Sequence, residues 1–169
     1  MEPLVDTLIE DPRWEQGFAL APCAERAATA TLAALGLSTP GFSLCLMGCD
    51  DARIAALNAE YRSKDQATNV LSWPSEDRAA EFTGEAPALP HPGPADDPEN
   101  LGDIAIAYQT CQREATDQGK PFDAHVTHLI VHALLHLLGY DHIDEEDAEL
   151  MEATEVRILA SLGVADPYL

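Results

Sequence analysis

The chain has 169 residues, enough for one domain with a sizeable core, and its 46% apolar content is ordinary for a globular fold. Nine Lys and Arg stand against 30 Asp and Glu, a formal net charge of −21. Such a field repels polyanions at long range, which excludes a broad nucleic-acid-coating surface but leaves room for a small local basic site.

"MEPLVDTLIEDPRW" has neither the basic start nor the long apolar run of a secretory signal. Within it, "PLVDTLIED" alternates weakly and is expected as a first strand. "PCAERAATATLAALGL", Pro22 to Leu37, is rich in Ala and Leu and predicts a helix stopped at Gly36. "GFSLCLMG" alternates over Phe42 to Met47 and predicts a strand. "DDARIAALNAEYR" opens on an Asp cap and spaces Ile54, Leu57 and Tyr61 as a helix does. "TNVLSWP" is a short strand closed by Pro74.

Composition then shifts. Ser75 to Asn100 is rich in Pro, Gly, Asp and Glu, and reads as a flexible surface excursion at 75–100. "LGDIAIAY" resumes as a strand. Helical spacing follows, broken at Gly119-Lys120-Pro121 and at Gly139, and "DEEDAELMEATEVRILASLG" has an acidic first turn suited to a helix N-terminus. The expected architecture is α+β in a single domain over 1–169. It is a small mixed sheet of about four strands packed with helices, with a histidine helix in the C-terminal half.

Cys23, Cys45, Cys49 and Cys111 form no CxxC pair and no disulfide framework, so buried free thiols and a reducing, cytoplasmic setting are expected. The longest uncharged apolar run, Val126 to Tyr140, is too short to cross a bilayer and carries histidines.

Those histidines carry the chemistry. A helix over Val126 to Leu138 is apolar around nearly its whole circumference, so it is expected to be buried. His128, His132 and His136 line one stripe of it, four residues apart. One ion cannot bridge the outer two, since eight residues span about 12 Å, but it can bridge an adjacent pair. Gly139 lets the chain turn, and His142 follows three residues later. His132, His136 and His142 thus form H-x3-H-x5-H, a three-nitrogen set that leaves a fourth position for water. The spacing is that of the metzincin proteases, but Ala133 stands where their general-base Glu would be. His125 and His128 read as helix-face or supporting residues, His91 as solvated, and Asp141 as a cap or ring-orienting residue in preference to a base.

Three blocks now stand in order: "LNAEYRSKDQATNVLSWP", "LGDIAIA" and "HLIVHALLHLLGYDH". Together they resemble the YbeY family of bacterial rRNA maturation factors. The resemblance implies a metal-dependent, single-strand-specific endoribonuclease. Its roles would be rRNA maturation, including the 16S rRNA 3′ end, and ribosome quality control. It further implies one divalent ion, zinc by preference, with His132, His136 and His142 in the ligand places and Arg62 in the place of the functional arginine. The implied partners are single-stranded RNA, precursor rRNA and the small ribosomal subunit or its assembly factors, with no membrane. Departures from the family pattern are Ala133 for Gly, Trp73 for Phe and a longer excursion at 75–100. Without the resemblance, Arg62 would read as a surface charge at a helix end.

Two rivals remain. A zinc-dependent peptidase-like hydrolase predicts a carboxylate base beside the metal. A non-catalytic ribosome-assembly factor with a structural metal predicts a closed fourth position.

Overall fold

Among the described residues four strands form one mixed sheet: β1 (Val5–Ile9), β2 (Phe42–Cys49), β3 (Val70–Pro74) and β4 (Glu99–Ala107). β1 pairs parallel with β2, β2 parallel with β4, and β3 antiparallel with β4, giving the order β1-β2-β4-β3 with β3 at an edge. Among the described residues five α-helices surround it: α1 (Leu20–Ala34), α2 (Asp51–Arg62), α3 (Tyr108–Gln118), α4 (Phe122–Leu137) and α5 (Glu145–Ser161). This computed structural model describes residues 3–37, 39–62, 64 and 66–169. Ser63 and Asp65, inside the first quoted block, lie outside the described residues.

The two-residue period of the strands sorts side chains between two cores. Leu44 and Leu46 of β2 and Ile104 and Ile106 of β4 face the larger one, with α1, α4 and α5. Ala105 and Ala107 face the other way, against Ile54 of α2 and Leu71 of β3. Nine residues of α4 are buried, so it is the central helix of the larger core. Each large apolar side chain there contributes about 1.5–3 kcal/mol by burial. A helix held that firmly is a rigid platform for whatever polar groups it carries.

The α+β expectation and its mixed four-stranded sheet match this architecture. Boundaries differ in a few places. The first helix runs Leu20–Ala34, two to three residues earlier than 22–37, because Pro22 sits inside its first turn, where a missing N–H is harmless. β4 begins at Glu99, inside the expected excursion, because Phe42 and Ser43 of β2 supply pairing partners for the polar Glu99 and Asn100. Residues 75–98 contain no helix or strand but hold buried anchors. The Arg78 guanidinium donates to the carbonyls of Leu101 and Leu137, and Pro87 is buried. Cys23, Cys49 and Cys111 are buried free thiols, and Cys45 is half-buried. Burial pushes the Cys49 thiol up to about 12, which leaves it protonated at neutral pH.

Candidate metal centre

The C-terminal end of α4 makes the site. Gly139 takes φ +103°, and its N–H donates to the His136 carbonyl at 3.0 Å while Tyr140 N–H donates to that of Leu135 at 3.0 Å. This pair of bonds is the Schellman closure, which turns the chain back along its own last turn. A Cβ at Gly139 would stand 2.2 Å from the Arg78 carbonyl oxygen, so glycine is needed for space as well as for angle. Asp141 caps the following turn by accepting from His142 N–H at 2.7 Å.

The turn delivers His142 to His132 and His136. Ring centroids lie 4.7 Å apart for His132–His136, 5.3 Å for His132–His142 and 5.0 Å for His136–His142. One nitrogen from each ring falls within 4.8 Å of the others. Two nitrogens about 2.1 Å from one tetrahedral ion stand about 3.4 Å apart. The Nε2 atoms of His132 and His136 are 3.2 Å apart, so the donor set fits a metal ion. Burial first, then the neighbouring His132 and His142, hold the His136 ring down at about 4. At neutral pH it is therefore unprotonated, the form that binds metal.

Behind this trio lies Glu155 of α5, fully buried. His132 Nδ1 and the Tyr168 hydroxyl make short hydrogen bonds to it, and His128 Nε2 lies 3.3 Å away. Burial works against ionisation of Glu155, but the bonds from His128 and His132, the charge of His132 and the Tyr168 hydroxyl outweigh it and hold the carboxyl at about 2. The phenol of Tyr168 is pushed up by burial and by that carboxylate. His128 is thus tied to Glu155. His125 is buried against Glu114 at 2.9 Å, and His91 is exposed.

Sequence reasoning missed Glu155 and Tyr168. Glu155 sits in a run crowded with acids, but Met151 four residues before it and Ile158 and Leu159 just after share its buried stripe. An acid on an apolar stripe was the available signal. Nothing local marks Tyr168.

Arg62 ends α2, and its Nη2 donates to the Ser72 carbonyl of β3 at 2.6 Å. It lines the same cleft of about 400 Å³ as His132, His136 and His142. The four residues singled out from the sequence therefore share one cavity. Ala133 is buried and also lines it, so the extra methyl group is accommodated in the packing.

Over this geometry the family profile of endoribonuclease YbeY matches residues 12–163. The chain belongs to the endoribonuclease YbeY family. It is similar to the endoribonuclease YbeY of Cereibacter sphaeroides, 65% identical over 99% of this chain and 100% of that protein. The endoribonuclease YbeY of Ruegeria pomeroyi is 59% identical over 97% of each chain. A solved solution structure of a Thermotoga maritima protein is similar in fold, with TM-score 0.55 and 17% identity, over 94% of this chain and 91% of that one. The matched span of the YbeY family contains Arg62, the three histidines and Glu155, and stops short of Tyr168.

Proposed function

We propose that this chain is an endoribonuclease that cuts single-stranded RNA, with one divalent ion held by His132, His136 and His142 and with Arg62 on the substrate phosphate. The supporting observation is that these four side chains line one cleft of about 400 Å³. A cavity of that size takes a small-ligand-sized unit. It therefore suits a splayed nucleotide of a single strand and not the side of a paired helix. Three neutral imidazoles suit zinc. A divalent ion bound there supplies positive charge at the scissile phosphate and acidifies water.

The chain's own groups do the rest. His136 stays unprotonated at neutral pH through burial and its two neighbouring rings. Arg62, anchored on Ser72, offers its remaining N–H groups to phosphate oxygens, the bidentate pairing for which guanidinium is suited. Leu71 and Leu129 line the cleft wall and limit water around the reacting phosphate.

The RNA we assign is precursor ribosomal RNA, met on the small ribosomal subunit or its assembly factors in the cytoplasm. A net charge of −21 makes binding of free RNA weak, so a docked partner that raises local concentration suits this chain. No helix among the described residues is long and apolar enough to cross a membrane. The peptidase alternative needs a carboxylate base, and no Asp or Glu is among the described residues that line the cleft. The structural-metal alternative needs a closed site, whereas His142 is exposed.

The deciding experiment compares a single-stranded RNA and the same sequence in a duplex, with zinc-loaded and chelator-treated protein. Cleavage of the single strand alone, lost on chelation and restored by zinc, is the expected result. Cleavage that survives full metal removal overturns the reading.

A further inference from the structure

A fully buried carboxylate persists in a fold only when its oxygens are paired. Glu155 is 0% exposed, and three donors converge on it. One oxygen takes His132 Nδ1, while the other takes the Tyr168 hydroxyl and faces His128 Nε2 at 3.3 Å. An ionised carboxylate only accepts hydrogen bonds, so the His132 proton lies on Nδ1. The lone pair of that ring then lies on Nε2, which faces His136 Nε2 at 3.2 Å.

From this geometry we infer that Glu155 is a positioning residue: it fixes His132 in the Nδ1–H form and aims Nε2 at the metal position, while Tyr168 and His128 hold the carboxylate in place. The inference rests on the metal-centre reading above. An imidazole held by a carboxylate at its far nitrogen loses its freedom to flip or rotate, and it becomes a stronger donor at the near one. Tyr168 closes the arrangement from outside α5 and also lines the cleft, so it links the buried acid to the cavity wall.

The same atoms admit a competing assignment. Donor atoms of His128, His132 and Glu155 also lie within 4.8 Å of one another, as a second cation site would require. Three hydrogen-bond donors already serve the two carboxylate oxygens, which favours positioning over ligation.

The test uses the full chain as wild type, Glu155→Gln and Tyr168→Phe. Zinc affinity is measured by competition with a chromophoric chelator. The His132 ring of the metal-free protein is read by ¹⁵N NMR, and cleavage of single-stranded RNA gives kcat and KM. The wild type is expected to show His132 in the Nδ1–H form and one zinc equivalent. Glu155→Gln is expected to weaken zinc affinity about 10–100-fold and to lower kcat more than it raises KM. Tyr168→Phe is expected to weaken affinity by a smaller factor. Wild-type affinity in both variants, or a wild-type His132 protonated on Nε2, overturns the inference. A second zinc equivalent that vanishes in Glu155→Gln also overturns it, because the carboxylate is then a ligand. Where Glu155→Gln does not fold, Tyr168→Phe and the wild-type spectrum decide by the same criteria. A wild type that binds no zinc and cuts no RNA overturns both this inference and the reading beneath it, whereas failure of the inference alone leaves wild-type binding and cleavage intact.

Discussion

Arg62 Nη2 donates to the Ser72 carbonyl at 2.6 Å, which ties the last turn of α2 to the edge strand that borders the histidine cleft. The bond aims an exposed guanidinium into the cavity and leaves it little to do for the fold. Arg62→Ala is expected to keep the wild-type metal content and to lose under about 1 kcal/mol of stability, as for a solvent-facing hydrogen bond. RNA cleavage is expected to fall at least about a hundredfold, the usual cost of removing one donor to a developing oxyanion. Arg62→Lys keeps the charge but not the fork, and is expected to recover only part of the rate. An unchanged rate in Arg62→Ala would reduce Arg62 to a surface charge.

Metal removal is expected to destabilise the protein. A ligand at 100 times its Kd stabilises the folded state by about 2.7 kcal/mol. In a chain of this length each kcal/mol moves Tm by roughly 2–4 °C, so a chelator should lower Tm by about 5–11 °C at neutral pH. Calorimetry with and without chelator reads the shift, and an unmoved Tm removes the metal from the account.

Acid acts on the metal-free protein through His136, whose ring is held at about 4 against an ordinary 6.5 by burial and then by His132 and His142. The folded state binds fewer protons there than the unfolded chain between those two values. Its contribution is therefore complete above pH 6.5 and is lost as pH falls toward 4. With chelator present, melting curves between pH 7 and 4 should show a steeper loss for the wild type than for His136→Gln. Parallel curves for the two proteins would mean that His136 is not held neutral.

Arg78 is the anchor of the 75–98 segment. Its side chain is 7% exposed and donates to Leu137 O at 3.2 Å and Leu101 O at 3.4 Å. Arg78→Ala takes the guanidinium away from the Leu137 carbonyl, while Leu101 O keeps the Ser75 N–H at 3.1 Å, and is expected to cost about 1–3 kcal/mol. Replacing residues 80–86 by a short Gly/Ser linker keeps Arg78 and Pro87 and is expected to cost far less. Denaturant unfolding of the two variants compares them, and equal losses would contradict the role given to Arg78.

The sequence was readable where periodicity or spacing carried the information. Alternation in Phe42–Met47 and the Asp-capped, helix-spaced run at 51–62 gave β2 and α2 nearly to their ends. The H-x3-H-x5-H spacing brought His132, His136 and His142 to one place because the histidines and the glycine turn are local to one helix end. The apolar stripe of α5 marked Glu155 as buried, but its role was not legible, because its partners His128 and His132 sit 27 and 23 residues away across a helix pair. Tyr168 joins them by a contact between segments that no local pattern encodes. The anchors at Arg78 and Pro87 escaped for the opposite reason. A segment rich in Pro and acidic residues looks unable to bury anything, yet one guanidinium and one proline ring are enough to fasten it.

The close approach at Gly139 sets a rule for how the region can change. The Arg78 main chain abuts Gly139, and the Arg78 side chain reaches the last residue of α4, so the loop's point of attachment and the bend that carries His142 are one piece of masonry. Insertions or deletions between Ala79 and Ala86 disturb the Gly84 N–H bond to Asp147 of α5 but leave the Arg78 anchor in place. A change of one residue between Pro74 and Arg78 shifts the keystone itself, and the histidine bend has to move with it. Length variation is thus permitted on the far side of Arg78 and forbidden on the near side, although both stretches look equally loose in composition.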